Sequence, residues 1–326
     1  MMQLYPLLMS PEFDPRPWGT LDLSPIYPGQ HFTQKIGEAW LTGDHCKVAN
    51  GPLAGRGLDD ISQEYQCALV GDAAGDPKRF PLLLKFLFPN EKLSVQVHPD
   101  DEAAQRVGEP WGKTECWYIV HAAPGSQVGL GLQPGTTRDK FAQAIHENRA
   151  EELLNWIDVH AGDMIYVAAG TVHTLGPGSI LVETQQQSDV TYRLYDYGRP
   201  RELHLEQGLA AVKEKTTAGK VLRRELPGGG DELVAAPYFV VDRFALTSER
   251  TFSTTATGAS SAQIVVAIEG KGLVQCVGSD PVLFAKGDAV VIPASAQEFV
   301  VRPQERVEFT VSSVPGKPCP EPVTQP

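Results

Sequence analysis

Short apolar runs with the alternation of β-strands dominate the hydrophobic pattern of this chain. The clearest example lies in residues 92–101, Lys-Leu-Ser-Val-Gln-Val-His-Pro-Asp-Asp. With a period of two, its apolar residues fall on one face of a strand and its polar residues on the other: Leu93, Val95 and Val97 against Ser94, Gln96 and His98. The polar face could line the inside of a barrel or could face solvent, and this segment alone leaves both interpretations open.

Strands are predicted along most of the remaining chain. The continuous apolar run at 80–88 predicts a strand that is buried on both faces. Further strands are predicted at 113–120, 128–132, 159–173 and 180–183, and then at 238–246, 264–268, 272–277, 289–292, 298–301 and 307–312. Short strands separated by regular turns are typical of a jelly roll or small sandwich.

Helical patterns are fewer. Residues 136–157 have apolar residues near helical spacing after a capping motif, Thr136-x-x-Asp139, which predicts two short helices. Short helical turns are also predicted at 58–70, at 205–212, and at 100–107, where Asp100 or Asp101 would cap the turn.

A weak internal repeat predicts two related halves. Gly162-Asp-Met-Ile-Tyr-Val-Ala-Ala-Gly-Thr-Val-His173 aligns with Gly287-Asp-Ala-Val-Val-Ile-Pro-Ala-Ser-Ala-Gln297, with glutamine where the first copy has histidine. We interpret Pro227–Gly230 as a linker. This predicts a mainly β fold of two jelly-roll barrels: residues 1–226 with a helical insertion at about 137–157, and residues 227–326 as a degenerate copy. The segment from Gly162 to His173 also resembles a signature of cupin barrels, and this resemblance implies two cupin-type barrels with a metal site in the first part only. The proline-rich last dozen residues are expected to form a loosely held tail.

Composition narrows the classes of function. The formal net charge of -12 over 326 residues argues against a nucleic-acid binder, although a local cluster of Lys and Arg would still allow an anionic small substrate. No apolar run approaches the roughly 18 residues that span a bilayer, and residues 1–9 are a poor signal peptide, so no membrane association is predicted. Five scattered cysteines indicate reduced thiols and a cytoplasmic protein, which we expect to be a monomer or a weak homodimer.

The histidines indicate where metal chemistry lies. None of the eight follows His204, so a histidine-based site must lie in the first two-thirds of the chain. Gln96-x-His98, with Glu115 following 17 residues after His98, resembles the first signature of cupin barrels, and the segment that ends at His173 resembles the second. A set of two imidazoles, a carboxylate and an amide suits one Zn²⁺ per chain, with a position open for water or substrate. His173 alone would more simply be a hydrogen-bonded turn residue.

Four motifs together resemble the type I mannose-6-phosphate isomerases in their shorter bacterial form. They are Gln-Val-His-Pro-Asp-Asp, Gly-Lys-Thr-Glu-Cys-Trp-Tyr, Gly-Thr-Val-His and Gln-Gln-Gln-Ser-Asp-Val-Thr-Tyr-Arg. The resemblance implies a zinc-dependent cupin that interconverts mannose 6-phosphate and fructose 6-phosphate. It also implies that the zinc ligands are Gln96, His98, Glu115 and His173. Arg193 would be the catalytic arginine, Ser94 and Lys113 would contact the substrate, and Glu183 would be a carboxylate near the substrate.

The reaction itself assigns roles to these residues. Isomerisation through a cis-enediol needs a Lewis acid for the oxyanion and a base that moves one proton between adjacent carbons. Glu183 is the candidate base, with Arg193 and Lys113 as catalytic cations, although Glu183 could equally be a paired carboxylate behind the site. Ser94, Lys113 and Arg199 are predicted to bind the phosphate, and the alternative for Arg199 is a solvated loop residue.

Some details depart from the family pattern, and other functions stay open. Gly112 stands where longer members have histidine, so a ring-opening role cannot be assigned there, and Ala168 replaces a common proline. The alternatives are an isomerase for another sugar phosphate, a carbohydrate-sensing cupin without turnover, and a metal-dependent dioxygenase, which would favour more histidines.

Overall fold

The computed structural model describes residues 2–256 and 258–325. The strands of the first part of the chain are β1 Leu7–Leu8, β2 Glu12–Thr20, β3 Ile36–Trp40, β4 Leu82–Leu87, β5 Val95–Val97, β6 Glu115–Ala122, β7 Gln127–Leu132, β8 Leu154–Asp158, β9 Met164–Val167, β10 His173–Leu175, β11 Ser179–Gln186, β12 Tyr192–Tyr195 and β13 Gly219–Val221. Those of the second part are β14 Arg224–Glu225, β15 Asp231–Ala235, β16 Val240–Leu246, β17 Arg250–Ser253, β18 Thr255–Ala256, β19 Ala259–Ser260, β20 Gln263–Cys276, β21 Val282–Ala285, β22 Ala289–Ile292, β23 Glu298–Ser313 and β24 Thr324–Gln325.

Helices are short and lie mainly in the first part. They are α1 Leu58–Tyr65, α2 Cys67–Val70, α3 Asp101–Arg106, α4 Arg138–His146 and α5 Leu205–Ala211, with 3₁₀ turns at Gly51–Leu53, Ala150–Leu153 and Ala294–Ala296. The mainly β prediction is therefore confirmed. No helix among the described residues has the length and apolar character needed to cross a membrane.

Two antiparallel sheets form the barrel of the first part. The larger has the order β2-β3-β4-β11-β6-β9-β13-β24, and the smaller has the order β12-β5-β10-β7-β8. Apolar side chains from both sheets share one buried cluster, in which Trp117 and Ile119 of β6 pack with Val128 and Leu130 of β7. Because the sheets face each other, the polar faces of β5 and β6 are directed into one enclosed space.

The second part repeats the strand order of the first. Its sheet runs β15-β16-β23-β20-β22-β1, and the larger sheet of the first part runs β3-β4-β11-β6-β9-β13 in corresponding positions. The aligned Gly-Asp turns also match: Asp163 Oδ2 accepts the N–H of His160 at 2.8 Å, and Asp288 Oδ2 accepts that of Ala285 at 2.8 Å. These shared details support the predicted duplication.

The two large sheets pack against each other through a common core. Leu84 and Phe86 of β4 and Tyr166 of β9 belong to the same buried cluster as Ile264 and Val266 of β20. This burial of apolar surface from both parts is what holds them together. The boundary at residues 226 and 227 stays a prediction.

The glycine run was wrongly interpreted as a linker. Arg224 pairs with Glu232 and Glu225 pairs with Asp231, so residues 226–230 form the turn of the β14–β15 hairpin. The N–H of Leu226 donates to the carbonyl of Gly230 at 2.9 Å, and Gly230 has a φ of 95°, a conformation that glycine adopts at low cost.

The predicted pair of helices at 136–157 is half right. Helix α4 forms, with Thr137 rather than Thr136 as its cap, but Leu154 and Ile157 lie on strand β8. These two residues are buried on opposite faces, in separate apolar clusters, because β8 is covered on both sides. Apolar residues on both faces of a strand imitated the spacing of a helix.

The predictions for the cap of α3 and for the C-terminal tail have different outcomes. Asp100 caps α3 by accepting the N–H of Ala103 at 3.0 Å, as predicted. The C-terminal tail, however, is not wholly loose, because Gln325 pairs with Lys220 and β24 forms the edge of the first large sheet.

Asp242 on β16 is a buried carboxyl group whose effect on the stability of the second part can be measured. Its Oδ1 is buried without a hydrogen-bond partner among the described residues, and burial, followed by the nearby Glu232, raises its pKa from 3.8 to about 7. Folding therefore holds the proton more tightly, and stability is lost as the pH rises through this range. We expect Asp242→Asn to raise the free energy of unfolding by about 1 kcal/mol near pH 8, after allowance for partial exposure, and by much less near pH 4.

Urea unfolding at the two pH values measures this effect. Asp231→Asn on the neighbouring strand is the matched control, since Asp231 forms an ion pair with Arg243 at 3.2 Å and its loss should give no such gain. An equal gain for Asp242→Asn at both pH values would contradict the explanation.

Candidate metal centre and active-site cavity

Antiparallel pairing brings together the predicted metal ligands, which lie on strands β5, β6 and β10 and, for His98, directly after β5. His173 at the start of β10 lies opposite Gln96 on β5, and Arg193 on β12 lies opposite Gln96 on its other side. Across the barrel, Glu115 on β6 pairs with Gln185 on β11, two residues from Glu183. Residues that are up to about a hundred positions apart thus share one end of the barrel.

A carboxylate lies between two imidazoles at the centre of the site. Glu115 Oε2 is 3.5 Å from His98 Nε2, and Glu115 Oε1 is 3.3 Å from His173 Nε2. Each of the three side chains is about 1% exposed. Two ligand atoms of one tetrahedral zinc ion lie about 3.3 Å apart, given bond lengths of about 2.0 to 2.1 Å, so these separations fit a shared ion.

Hydrogen bonds to the backbone set the direction of both imidazoles. His98 Nδ1 is 2.8 Å from the carbonyl of Val190, and His173 Nδ1 is 2.9 Å from that of Thr171. Each Nδ1 must donate to its carbonyl, which leaves the lone pair of Nε2 facing Glu115. Burial lowers the pKa of His98 well below its usual value and that of His173 to about 4, so both rings are neutral.

This arrangement lacks a proton that could join the three groups. His98 Nε2 and both oxygens of Glu115 are buried with no hydrogen-bond partner among the described residues, and the one ion pair of Glu115 with a lysine there is with Lys113. Two lone pairs and a carboxylate that face one another at such distances need a cation between them. The residues therefore fit a divalent metal ion.

Gln96, the fourth predicted ligand, lies beside this set. Its Nε2 lies 3.2 Å from His173 Nε2, while its Oε1 accepts a hydrogen bond from Ser94 Oγ at 3.1 Å. Rotation of the amide by half a turn would exchange the two atoms and present Oε1 to the cluster. Ser94 therefore contacts Gln96, one of the predicted ligands, through this hydrogen bond.

Lys113 and Glu183 extend the site away from the imidazoles. Lys113 Nζ lies 3.2 Å from Glu115 Oε2 and 4.0 Å from Glu183 Oε1, and Glu183 Oε2 accepts the indole N–H of Trp117 at 3.2 Å. Burial raises the pKa of Glu183 to about 7, with a further contribution from Glu115. Although burial opposes it, the two carboxylates raise the pKa of Lys113, which stays charged.

The cavity beside these residues has a volume of about 450 Å³ and polar walls. Four cationic side chains besides Lys113 line it, namely Arg16, Lys85, Arg193 and Arg201. Three of these four form ion pairs with carboxylates: Arg16 with Glu38, Lys85 with Glu38 and Asp189, and Arg201 with Asp196.

Arg193 differs from these neighbours. Its Nη1 donates to the carbonyl of Glu202 at 2.8 Å, and its buried Nε has no partner among the described residues. No ion pair joins it to a carboxylate within the described part of the chain. Burial and the nearby Arg201 lower its pKa. Arg193 is therefore available to bind an anionic group.

Arg199, predicted to bind phosphate, does not line the cavity. Its guanidinium donates to Asp196 at 3.1 Å, to Glu91 at 3.3 Å and to the carbonyl of Lys92 at 2.8 Å. Arg201, two residues later, faces the cavity in its place. The loop between β12 and α5 decides which of the two arginines enters, and side-chain type alone does not distinguish them.

Sequence reasoning did not single out several of the lining residues: Arg16, Glu38, Lys85, Asp189 and Arg201. One of them carried a signal. Lys85 is the single charged residue in the apolar run at 80–88 and is only 3% exposed, and a lysine in a buried strand must have a polar partner. The structure also explains why residue 112 is glycine, since a Cβ there would lie only 2.6 Å from the carbonyl oxygen of Pro99.

Comparison with known proteins agrees with this geometry. Residues 24–110 match the model of the family described as phosphomannose isomerase type I, catalytic domain. The chain is 34% identical over 319 residues to the mannose-6-phosphate isomerase ManA of Bacillus subtilis (strain 168), an alignment that covers 91% of this chain and 96% of ManA. The chain belongs to the type I mannose-6-phosphate isomerase family. It is thus a member of a family of isomerase enzymes.

Solved structures of mannose-6-phosphate isomerases share the fold. The crystal structure of the Bacillus subtilis enzyme matches with a TM-score of 0.84 at 31% identity, over 95% of this chain and 99% of that chain. A zinc-bound mannose 6-phosphate isomerase matches with a TM-score of 0.75 at 15% identity, over 94% of this chain and 98% of that chain. The second match concerns the fold alone.

Replacement of either imidazole tests the metal centre. His98→Ala and His173→Ala each remove one Nε2 that faces Glu115. We expect the amount of metal retained at this centre to fall at least about tenfold, as measured by elemental analysis after dialysis. Arg193→Ala is the matched control, because it changes the same cavity without removing a ligand and should keep its metal. Undiminished metal in both histidine variants would contradict the assignment.

Proposed function

We propose that this protein interconverts mannose 6-phosphate and fructose 6-phosphate through a cis-enediol. The observation that carries the proposal is the cluster of His98, Glu115 and His173 with Lys113 and Glu183 beside it, at the base of a cavity suited to a sugar phosphate. Membership of the isomerase family supports the same substrate class. The five cysteines are free, which fits the proposed cytoplasmic location.

We propose one Zn²⁺ per chain, held by Gln96, His98, Glu115 and His173. Mixed nitrogen and oxygen ligands with an open position are characteristic of catalytic zinc sites. When bound, the ion would supply a Lewis acid that stabilises negative charge on the sugar oxygens. The duplicated second part, residues 227–326 in the proposed division, has no corresponding set among its described residues.

Glu183 is the proposed base. Its carboxylate would remove the proton from C2 of the open-chain aldose and return it to C1 of the enediol, which yields the ketose without net loss of a proton. Its pKa of about 7 suits both halves of this transfer. Lys113, 4.0 Å away, would orient the carboxylate and hold positive charge near the developing oxyanion.

Arg193 is the proposed cation for the substrate's anionic groups. It lies on β12 directly opposite Gln96, and its guanidinium has no carboxylate partner among the described residues. Arg201 and Ser94 would contribute further contacts along the same wall. We therefore place the phosphate beside Arg193, Arg201 and Ser94, and the reacting carbons near Glu183.

Coupled turnover with mannose 6-phosphate tests the function. The protein as purified should convert the substrate, lose activity after complete chelation and regain it with added Zn²⁺. Arg193→Ala should lower kcat about 10²-fold while its metal content is kept. Zinc-loaded protein that turns over another aldose phosphate but not mannose 6-phosphate would favour the alternative substrate, and no turnover of any sugar phosphate would favour a sensing role.

The pH dependence tests the role of Glu183. As a base it must be ionised, so kcat/KM should fall as the pH drops below the pKa of this group, which is about 7 without a bound cation and lower with one. Lys113→Met removes a positive charge that lowers this pKa, so it should move the acid limb to higher pH than in the parent protein. Glu183→Gln should lower kcat about 10²-fold. An acid limb that Lys113→Met leaves in place would contradict the assignment.

A further inference from the structure

A second group of metal-ligating side chains lies outside the cavity. Glu12 begins β2 and pairs with Trp40 at the end of β3, and the turn that follows Trp40 carries His45 and Cys46 back toward Glu12. His45 Nε2 lies 3.4 Å from Glu12 Oε2. The ligand atoms of Glu12, His45 and Cys46 all lie within 4.8 Å of one another.

The thiol of Cys46 is directed into this group without a partner of its own. Cys46 is 1% exposed, and none of the hydrogen bonds of the described residues involves its Sγ. Glu12 and His45 are about half exposed, with side-chain exposures of 56% each, so they form the solvent side of the group. A buried sulfur below an exposed imidazole and carboxylate leaves an open side for water.

The surrounding contacts hold these side chains in place. The ring of His45 packs on Trp40 with centroids 5.0 Å apart, and Trp40 is fixed by its indole N–H, which donates to Glu38 at 2.8 Å. The backbone of Cys46 donates to Gly43 at 3.1 Å and accepts from Leu58 at 3.0 Å. His45 and Cys46 are thus positioned before any ion arrives, and Glu12 approaches them from the solvent side.

The chemistry of the group selects the ion. Sulfur, imidazole and carboxylate together favour borderline-soft divalent ions such as Zn²⁺ and Co²⁺ over Mg²⁺ or Ca²⁺, which prefer oxygen ligands alone. The separation of 3.4 Å between His45 and Glu12 matches the roughly 3.3 Å expected for two ligand atoms of one tetrahedral zinc ion.

We propose that Glu12, His45 and Cys46 form a second binding site, for a borderline-soft divalent cation, separate from the proposed catalytic centre. The two centres differ in ligand type, since the catalytic set contains no sulfur. Trp40 lies between the second group and the cavity wall, because its ring contacts His45 and its ring centroid lies 4.0 Å from Lys85 Nζ.

Binding must displace a proton from the thiol. Burial, with a smaller contribution from Glu12, raises the pKa of Cys46 to about 12, so the thiol is protonated in the absence of a metal. The bond that forms is between sulfur and the metal, the bond that breaks is S–H, and the proton passes to the buffer. A mildly alkaline buffer therefore favours the measurement.

Titration of the full-length, chelator-treated protein with Co²⁺ tests the site. Thiolate ligation gives an intense near-ultraviolet charge-transfer band, whereas the catalytic set of amide, carboxylate and imidazoles gives none. We expect the band to saturate with about one equivalent bound at this site and to vanish in Cys46→Ser. Cys67→Ser, which alters an exposed cysteine outside the group, is the matched control and should keep the full band.

Substitutions at the two exposed residues of the group control for the possibility that Cys46→Ser fails to fold. His45→Ala and Glu12→Gln should each weaken Co²⁺ binding at this band at least about tenfold without a change in the urea midpoint. Isomerase turnover of all three variants should be unchanged. Absence of the band in the parent protein, or a band of full intensity in Cys46→Ser, would overturn the proposal. Neither result depends on whether the proposed isomerase activity is correct.

Discussion

The contact of two neutral imidazoles with the buried carboxylate of Glu115 is the constraint on which this structure depends. Nothing in the described structure supplies a proton between His98, Glu115 and His173, because the Nδ1 atoms of both rings are occupied by backbone carbonyls. Burial makes protonation of the rings costly, so a cation is the means by which the charge can be balanced. Lys113 compensates part of that charge at 3.2 Å, but a single ammonium cannot satisfy two imidazole lone pairs and a carboxylate together.

The second part shows what the same topology does without this constraint. Its strands follow the same order, yet its interior is filled by phenylalanines: Phe244, Phe252, Phe284, Phe299 and Phe309. Aromatic rings in contact occupy the space that forms a cavity of about 450 Å³ in the first part. The second part is therefore apolar and packed, and its sheet contacts the larger sheet of the first part through the common core. This division of roles allows the first part to keep a polar interior, which by itself would contribute little to stability.

A network of ion pairs lines the cavity wall beside the metal centre. Lys85 on β4 lies beside Glu183 on β11 in the sheet, and it contacts Glu38 at 3.4 Å and Asp189 at 3.4 Å. Glu38 in turn binds Arg16 at 3.1 Å and receives the indole N–H of Trp40. These pairs satisfy the charges that line the wall and leave Arg193 as the cation with unused hydrogen-bonding capacity. The same network ends at Trp40, beside the proposed second metal site.

Local patterns were enough to predict the alternation of β5, the residue types that gather at the candidate metal centre and the family, because side-chain period and local motifs are properties of short segments. It also indicated the duplication, since the Gly-Asp turn is a local feature that both copies share. Three features could be read only from the folded chain: Arg201 and not Arg199 faces the cavity, Pro227–Gly230 forms a hairpin turn, and Leu154 and Ile157 lie on a strand. The arginine and the β8 residues depend on which elements pack together in the barrel, and the role of the glycine run depends on the pairing of β14 with β15. Strand register and loop path arise from contacts between distant residues, and a local pattern does not contain them.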